Sequence, residues 1–265
     1  MTGAPIGAVS APDWGRFLSA MVLAMVRLSG LMVFAPVFSS EAIPARVKVL
    51  FVLAVSVLLA PAIAALPQAH AEIGVLSVLG ELGVGAVFGL SLSLLAEVLQ
   101  FAGQILGIQF SFSLVNLLDP NSQIETPLLG QMLTLLSTVV LLGAGLHRTL
   151  LAALLRSFAW APVGGFSMSP HIGVALLTMA SGIFVAALGL AAPVLAATLL
   201  VELSIAMVGR LSPQLPVMSV AIPLKTMCGY VVLIGSLALW PRFIEARFTG
   251  LLGSAEELMK RAVLR

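Results

Sequence analysis

The sequence predicts an all-α fold: a polytopic helical membrane protein of about six long hydrophobic helices, arranged as helical hairpins and some of them kinked. Three observations carry this. Only 9% of the 265 residues are charged and 60% are hydrophobic, with a mean hydropathy of +1.14. A soluble domain usually carries about 25% charged residues to cover its wet surface, so this surface suits lipid or other membrane proteins. Second, the apolar residues form long continuous runs instead of alternating with period two. Backbone in lipid must satisfy its own hydrogen bonds, and such runs select helices over a closed barrel. Third, Pro, Gly and Ser cluster between the runs, where chain reversals belong.

The runs are 17–38, 47–66, 73–99, 128–146, 172–208 and 222–240. A span takes about 20 residues. Four runs fit that length, and 73–99 is somewhat long. The first is expected to be a retained helix, because Arg16 is the first basic residue and no positive segment precedes it as in a cleavable signal. The fifth is far too long for a simple span. Pro193 in its middle removes one helix hydrogen bond and bends the axis, which predicts one long kinked helix covered by neighbouring protein. Two re-entrant halves broken at Ala191-Ala192-Pro193 are the alternative. Pro44, Pro67, Pro120, Pro127, Pro162-Val163-Gly164-Gly165 and Pro213 punctuate the connections. The 147–171 link holds His147, Arg148, Arg156 and Trp160 ahead of the Gly-Gly turn, and is the expected boundary between parts 1–165 and 166–265.

Charge placement excludes several functions. The basic residues are dispersed, apart from a tail with Arg242, Arg247, Lys260, Arg261 and Arg265, so nucleic acid is not an expected partner. With six spans and an inside tail, inside loops carry eight Lys/Arg against four outside, a modest positive-inside bias. Basic residues on both faces suggest helix ends buried in an assembly. Cys228 is alone, which leaves no disulfide framework and no metal set. No nucleophile triad, phosphate-binding loop or paired metal motif occurs, so no enzyme activity, cofactor or metal is expected. Charges inside apolar helices are costly and therefore candidates for function. Arg27, Glu97 and Glu202 lie in such helices, with Arg210 and Lys225 near the 212–216 turn. They are single and on different helices, which suits pairing at helix or subunit contacts better than a proton relay. His70, His147 and His171 sit near expected helix ends. Glu256-Glu257 followed by Lys260-Arg261 has the i,i+4 pattern of a solvated helix. Gly85-x-x-x-Gly89 and Gly103-x-x-x-Gly107 permit close helix approach.

Residues 103–120 mix apolar, small and amide side chains without an obvious helical stripe and end at Asp119-Pro120. Bare in lipid, such a segment is expensive. Two readings remain open: it lines or closes a protein-walled cavity, or it completes the third helix and turns at the membrane surface.

This segment also carries a resemblance. Gly107-Ile-Gln-Phe-Ser-Phe-Ser, then Leu118-Asp-Pro and Pro127-Leu-Leu-Gly-Gln131, resembles the central stretch of the FliR family of flagellar export proteins. Arg27–Pro36 followed by Ile43-Pro44-Ala-Arg46-Val-Lys48 is similar to that family's N-terminal signature. Leu211-Ser-Pro213-Gln-Leu-Pro216, then Ile222-Pro223-Leu-Lys225, is similar to its C-terminal one. The second part, with Pro193 in a long helix, Pro223-x-Lys225 and a stop at Trp240-Pro241, also resembles the FliQ hairpin. The matches run in order over nearly the whole chain.

The resemblance implies a subunit of the type III export gate in the bacterial inner membrane, at the flagellar basal body. There it would join FliP and FliQ, meet FlhB, and pass unfolded flagellar proteins. It implies a FliP-like part over 1–165 and a FliQ-like hairpin over 166–265. It further implies that 107–120 is a pore plug, with Gly107, Gln109, Phe110, Phe112, Leu114, Val115, Leu118, Asp119 and Pro120 as candidate residues. An injectisome export subunit shares these features. A secondary transporter using Arg27, Glu97 and Glu202 is the third possibility, weakened because the two halves lack corresponding broken helices.

Overall fold

The computed structural model describes residues 14–39, 43–66, 73–110, 128–164, 170–211, 214 and 217–263. Every regular element among them is helical: α1 (Trp14–Phe34), α2 (Pro36–Ser39), α3 (Ala45–Ala64), α4 (Val75–Gln109), α5 (Leu128–Gly143), α6 (Leu146–Trp160), α7 (Pro170–Leu211), α8 (Val217–Ser236), a 3-10 turn (Leu237–Leu239) and α9 (Trp240–Val263). Five helical stretches are long and apolar enough to cross a membrane, or six if the bent pair α5–α6 counts as one. This is the polytopic helical membrane protein that the hydropathy demands.

Two expectations change in detail, one open reading is decided, and the single long fifth helix is found as expected. Residues 103–109 complete the third helix, one of the two readings left open, because α4 runs unbroken for 35 residues to Gln109. A buried stripe at Leu95, Leu99, Ala102 and Leu106 holds them in the helix. The 147–171 link is not mainly loop, since α6 occupies Leu146–Trp160 after a 70° bend from α5. Gly145 at φ +70° makes that bend, in a conformation without penalty for a residue lacking Cβ. The fifth run is one helix of 42 residues that passes through Pro193 without a break, so the re-entrant alternative is not adopted. Finally, Trp240-Pro241 opens α9 instead of stopping the chain. Proline is well placed there, since the first turn of a helix needs no N–H from it.

The chain divides into two compact units: residues 1–90, 150–174 and 254–265 form one, and 91–149 with 175–253 the other. In the first, Ala20, Leu23 and Ala24 of α1 pack with Ile63 of α3, Phe158 of α6 and Val163. The α1–α4 crossing is built on glycine. A Cβ on Gly30 would sit 2.7 Å from the Leu82 carbonyl oxygen, one on Gly85 would overlap the Arg27 carbonyl, and one on Gly89 would lie 2.9 Å from the Leu31 carbonyl. In the second unit, Gly103 meets the Gly130 backbone of α5 in the same way, whereas Gly107 has open space around it. Phe101 of α4 meets Phe184 of α7 edge-on, with ring centroids 4.9 Å apart.

Candidate functional site

The deepest polar feature lies in the first unit. Arg27 and Glu81 are fully buried, and the Arg27 Nε donates to Glu81 Oε2 at 2.6 Å. The guanidinium spends its other donors nearby: Nη1 donates to Ser157 Oγ at 2.9 Å and Nη2 to the Ala161 carbonyl at 2.9 Å. Its flat face lies 4.1 Å from the Phe158 ring centroid. The Ser157 hydroxyl in turn donates a hydrogen bond to the Leu154 carbonyl, and Glu81 Oε1 accepts from the Gly164 N–H at 3.0 Å. Gly164 stands at φ +79°, a turn that a side chain would strain. A planar guanidinium offers several donors in a fixed fork, so one residue ties α1, α4, α6 and the turn after α6 together. Each charge has a partner of opposite sign and further hydrogen bonds, which is what a buried pair requires. A single satisfied pair of this kind positions helices; it offers no second carboxylate to which a proton could pass.

Glu81 was not among the charges singled out from the sequence. It is the ninth residue of the third apolar run, where a carboxylate resembles one near a helix end. Its partner is 54 positions away. The signal available was that Arg27 needs an anion at membrane depth, and Glu81 is one of few.

The other singled-out charges are placed differently. In the second unit, Glu202 of α7 accepts from the Lys225 ammonium of α8, with Glu202 about half exposed. Arg210 and Glu97 are exposed. Of the tail charges, Arg261 pairs with Glu257 one turn away, at 2.6 Å. Glu256 instead takes Arg156 of α6 at 2.9 Å, and the Lys260 ammonium sits 4.4 Å above the Trp160 ring. The last turns of α9 are thereby held to α6 within the first unit. The His147 Nδ1 is buried without a hydrogen-bond partner, while His70 and the side chain of His171 lie outside the described residues.

Of the 107–120 segment, only residues 107–110 are described, among them the candidates Gly107, Gln109 and Phe110; Phe112, Leu114, Val115, Leu118, Asp119 and Pro120 lie outside. Gly107 and Gln109 belong to the last turn of α4, and the Phe110 N–H closes that turn on the Leu106 carbonyl at 3.0 Å. The Phe110 ring is buried and stacks on Tyr230 of α8, with centroids 4.5 Å apart and planes at 10°. Gly229 makes room for it, since a Cβ there would overlap the ring. The Gln109 Oε1 is buried without a partner. The segment thus leaves α4 from a point pinned to α8 by an aromatic stack. Tyr230 and Gly229 were not singled out from the sequence, because nothing local marks a helix glycine as a receptacle for a ring.

Among the described residues, no three His, Cys, Asp or Glu side chains are grouped to hold a metal ion.

The comparisons with known proteins agree with one another. The flagellar biosynthetic protein FliR of Buchnera aphidicola subsp. Acyrthosiphon pisum is 29% identical over 213 residues, covering 79% of this chain and 81% of the relative. That of Escherichia coli K12 is 24% identical over 242 residues, covering 91% and 93%. That of Bacillus subtilis is 28% identical over 221 residues, covering 81% and 85%. The family described as bacterial export proteins, family 1, matches residues 18–251. The match spans the six apolar runs from residue 18 onward, the Arg27–Glu81 network and the Phe110 anchor, and on it this chain belongs to bacterial export proteins, family 1.

Proposed function

We propose that this chain is a core subunit of the flagellar type III protein export gate in the bacterial inner membrane. In this reading it assembles with FliP-type and FliQ-type subunits, meets an FlhB-type partner, and passes unfolded flagellar proteins. The observation that carries the reading is the likeness to FliR proteins of distant bacteria over most of both chains. Export in this reading draws its energy from partner proteins, and this chain contributes the wall and closure of a channel. Residues 1–165 act as the FliP-like part and 166–265 as the FliQ-like hairpin.

The closing element in this proposal is 107–120, rooted at Phe110. A plug has to be fixed at one end and free to leave the pore beyond it. The Phe110–Tyr230 stack supports such a root, because an offset aromatic pair is worth roughly 0.5–1.5 kcal/mol beyond its buried area. Apolar Phe112, Leu114, Val115 and Leu118 then form the seal, and Asp119-Pro120 ends it. Deleting 111–118 while keeping Phe110 is expected to make membranes holding the assembled complex leaky to small ions. Normal impermeability with correct assembly removes the plug assignment. A purified chain that by itself accumulates a solute in vesicles overturns the gate reading altogether.

A further inference from the structure

A polar stripe runs along α5 in the second unit. Gln131 is exposed, and Thr134 and Thr138 are half-buried. At about 100° of rotation per residue, the three fall within an arc of about 60° on one side of the helix. Each threonine hydroxyl donates to its own helix, Thr134 to the Gly130 carbonyl at 2.9 Å and Thr138 to the Thr134 carbonyl at 3.0 Å. Their donors are therefore spent, and they present only lone pairs outward. The Gln131 amide presents two donors and an acceptor. Beside the stripe, Met132, Leu135 and Val139 are about two-thirds exposed and wholly apolar. One helix thus shows two open sides of opposite chemistry. The end of α4 carries the same signal where it meets α5. Gly103 and Gly130 form that contact, so close that a Cβ on Gly103 would lie 2.3 Å from the Gly130 Cα. Gln104 and Gln131 each follow their contact glycine by one position, and both are exposed. Two amides therefore flank one helix crossing, in helices where polar side chains are costly.

We infer that Gln104, Gln131, Thr134 and Thr138 line a water-filled passage, while Met132, Leu135 and Val139 face away from it. Lipid offers these groups neither donors nor acceptors, and leaving an amide unsatisfied is expensive. Another helix would have to match two amides and two hydroxyl lone pairs at fixed positions. Water matches them at any position, because each molecule both donates and accepts. Uncharged groups of this kind wet a surface without holding an ion or a charged side chain on it. That suits a wall past which chains of any sequence must slide. The inference rests on the export reading, and within it names residues that form the wall of the channel.

The test uses the assembled complex in its membrane, with Cys228, the one cysteine of the chain, replaced by alanine. Single cysteines are introduced as Gln131→Cys, Thr138→Cys, Met132→Cys and Val139→Cys. A charged, membrane-impermeant methanethiosulfonate is then applied to each face, in cells and in inverted vesicles. Only the thiolate reacts, and apolar surroundings raise a thiol by a unit or more, so the first two variants are expected to label about tenfold faster than the last two. Gln104→Cys labels with the fast pair. Thr134→Cys takes the place of any stripe variant that fails to assemble. Equal rates at all positions, or faster labelling at positions 132 and 139, overturn the inference. So do stripe positions that stay unlabelled from both faces. A slow stripe in cells that still export flagellar protein removes this wall and leaves the export reading standing. A fast stripe in an assembled complex that exports none supports the wall and counts against that reading.

Discussion

Two of the ion pairs that join helices, Arg27–Glu81 and Lys225–Glu202, use the same chemistry in opposite surroundings. Arg27–Glu81 is sealed on all sides, and both partners make additional hydrogen bonds to Ser157, Ala161 and Gly164. Lys225–Glu202 makes a single contact, and its carboxylate is about half exposed. The first pair is complete within the chain. The second leaves acceptor capacity unused on a surface where lipid offers nothing to fill it. The difference teaches that a charge in an apolar helix can be a finished joint or an unfinished one, and only its second layer of partners tells which.

The largest effect is expected from breaking the finished joint on one side. Glu81→Ala leaves an uncompensated guanidinium in the interior, which typically costs about 3–5 kcal/mol. Thermal unfolding in detergent should show a marked loss, and yield in the membrane should fall. The pair Arg27→Met with Glu81→Leu should recover part of it, because apolar replacement of both charges is often tolerated. If Glu81→Ala behaves like the unaltered protein, the network is not the joint described. Next comes Gly85→Leu, which sets a side chain against the Arg27 backbone and forces α1 off α4. Overpacking costs about 1–3 kcal/mol, and the upper end applies because backbone cannot rotate away. This substitution should also loosen the Arg27–Glu81 pair without touching either charge, read as faster hydrogen exchange in α1. The smallest effect is expected from Glu202→Ala. Interhelical hydrogen bonds in membranes average about 0.6 kcal/mol, so unfolding of the isolated chain should hardly move. A large loss there, matching Glu81→Ala, erases the contrast between the two pairs.

Much of the helical layout was legible because lipid imposes a simple rule: apolar runs of spanning length become helices. That rule reads composition, which is local. It failed at α6, where Arg148 and Arg156 suggested a loop while Leu150, Ala153, Leu154 and Phe158 were forming the buried face of an amphipathic helix. It left 103–109 undecided, where Gln104 and Gln109 masked the stripe that continues through Ala102 and Leu106. Arg27 was legible as a candidate because a charge inside an apolar run announces itself. Its partner was not, since pairing over 54 positions is a property of how helices cross. The GxxxG pattern at Gly85 located one side of that crossing, while Gly30, its counterpart on α1, carried no pattern of its own. Of the candidate plug, the sequence marked the segment, and Phe110 became informative only with Tyr230 and Gly229 in place.

The wiring of Arg27 also sets a timetable. Its partners follow it along the chain by 54, 130 and 134 residues. At a synthesis rate of roughly 5–20 residues per second, Glu81 emerges about 3–11 seconds after Arg27, and Ser157 and Ala161 roughly 7–27 seconds after it. For that interval the first helix carries a cation without the carboxylate it pairs with in the fold. Insertion of this protein therefore includes a wait, during which the translocation machinery or water must shelter Arg27. Slowing the ribosome between codons 81 and 157 lengthens exposure of a half-wired helix to membrane proteases, so abundance in the cell can depend on the tempo of translation as well as on the stability of the finished fold.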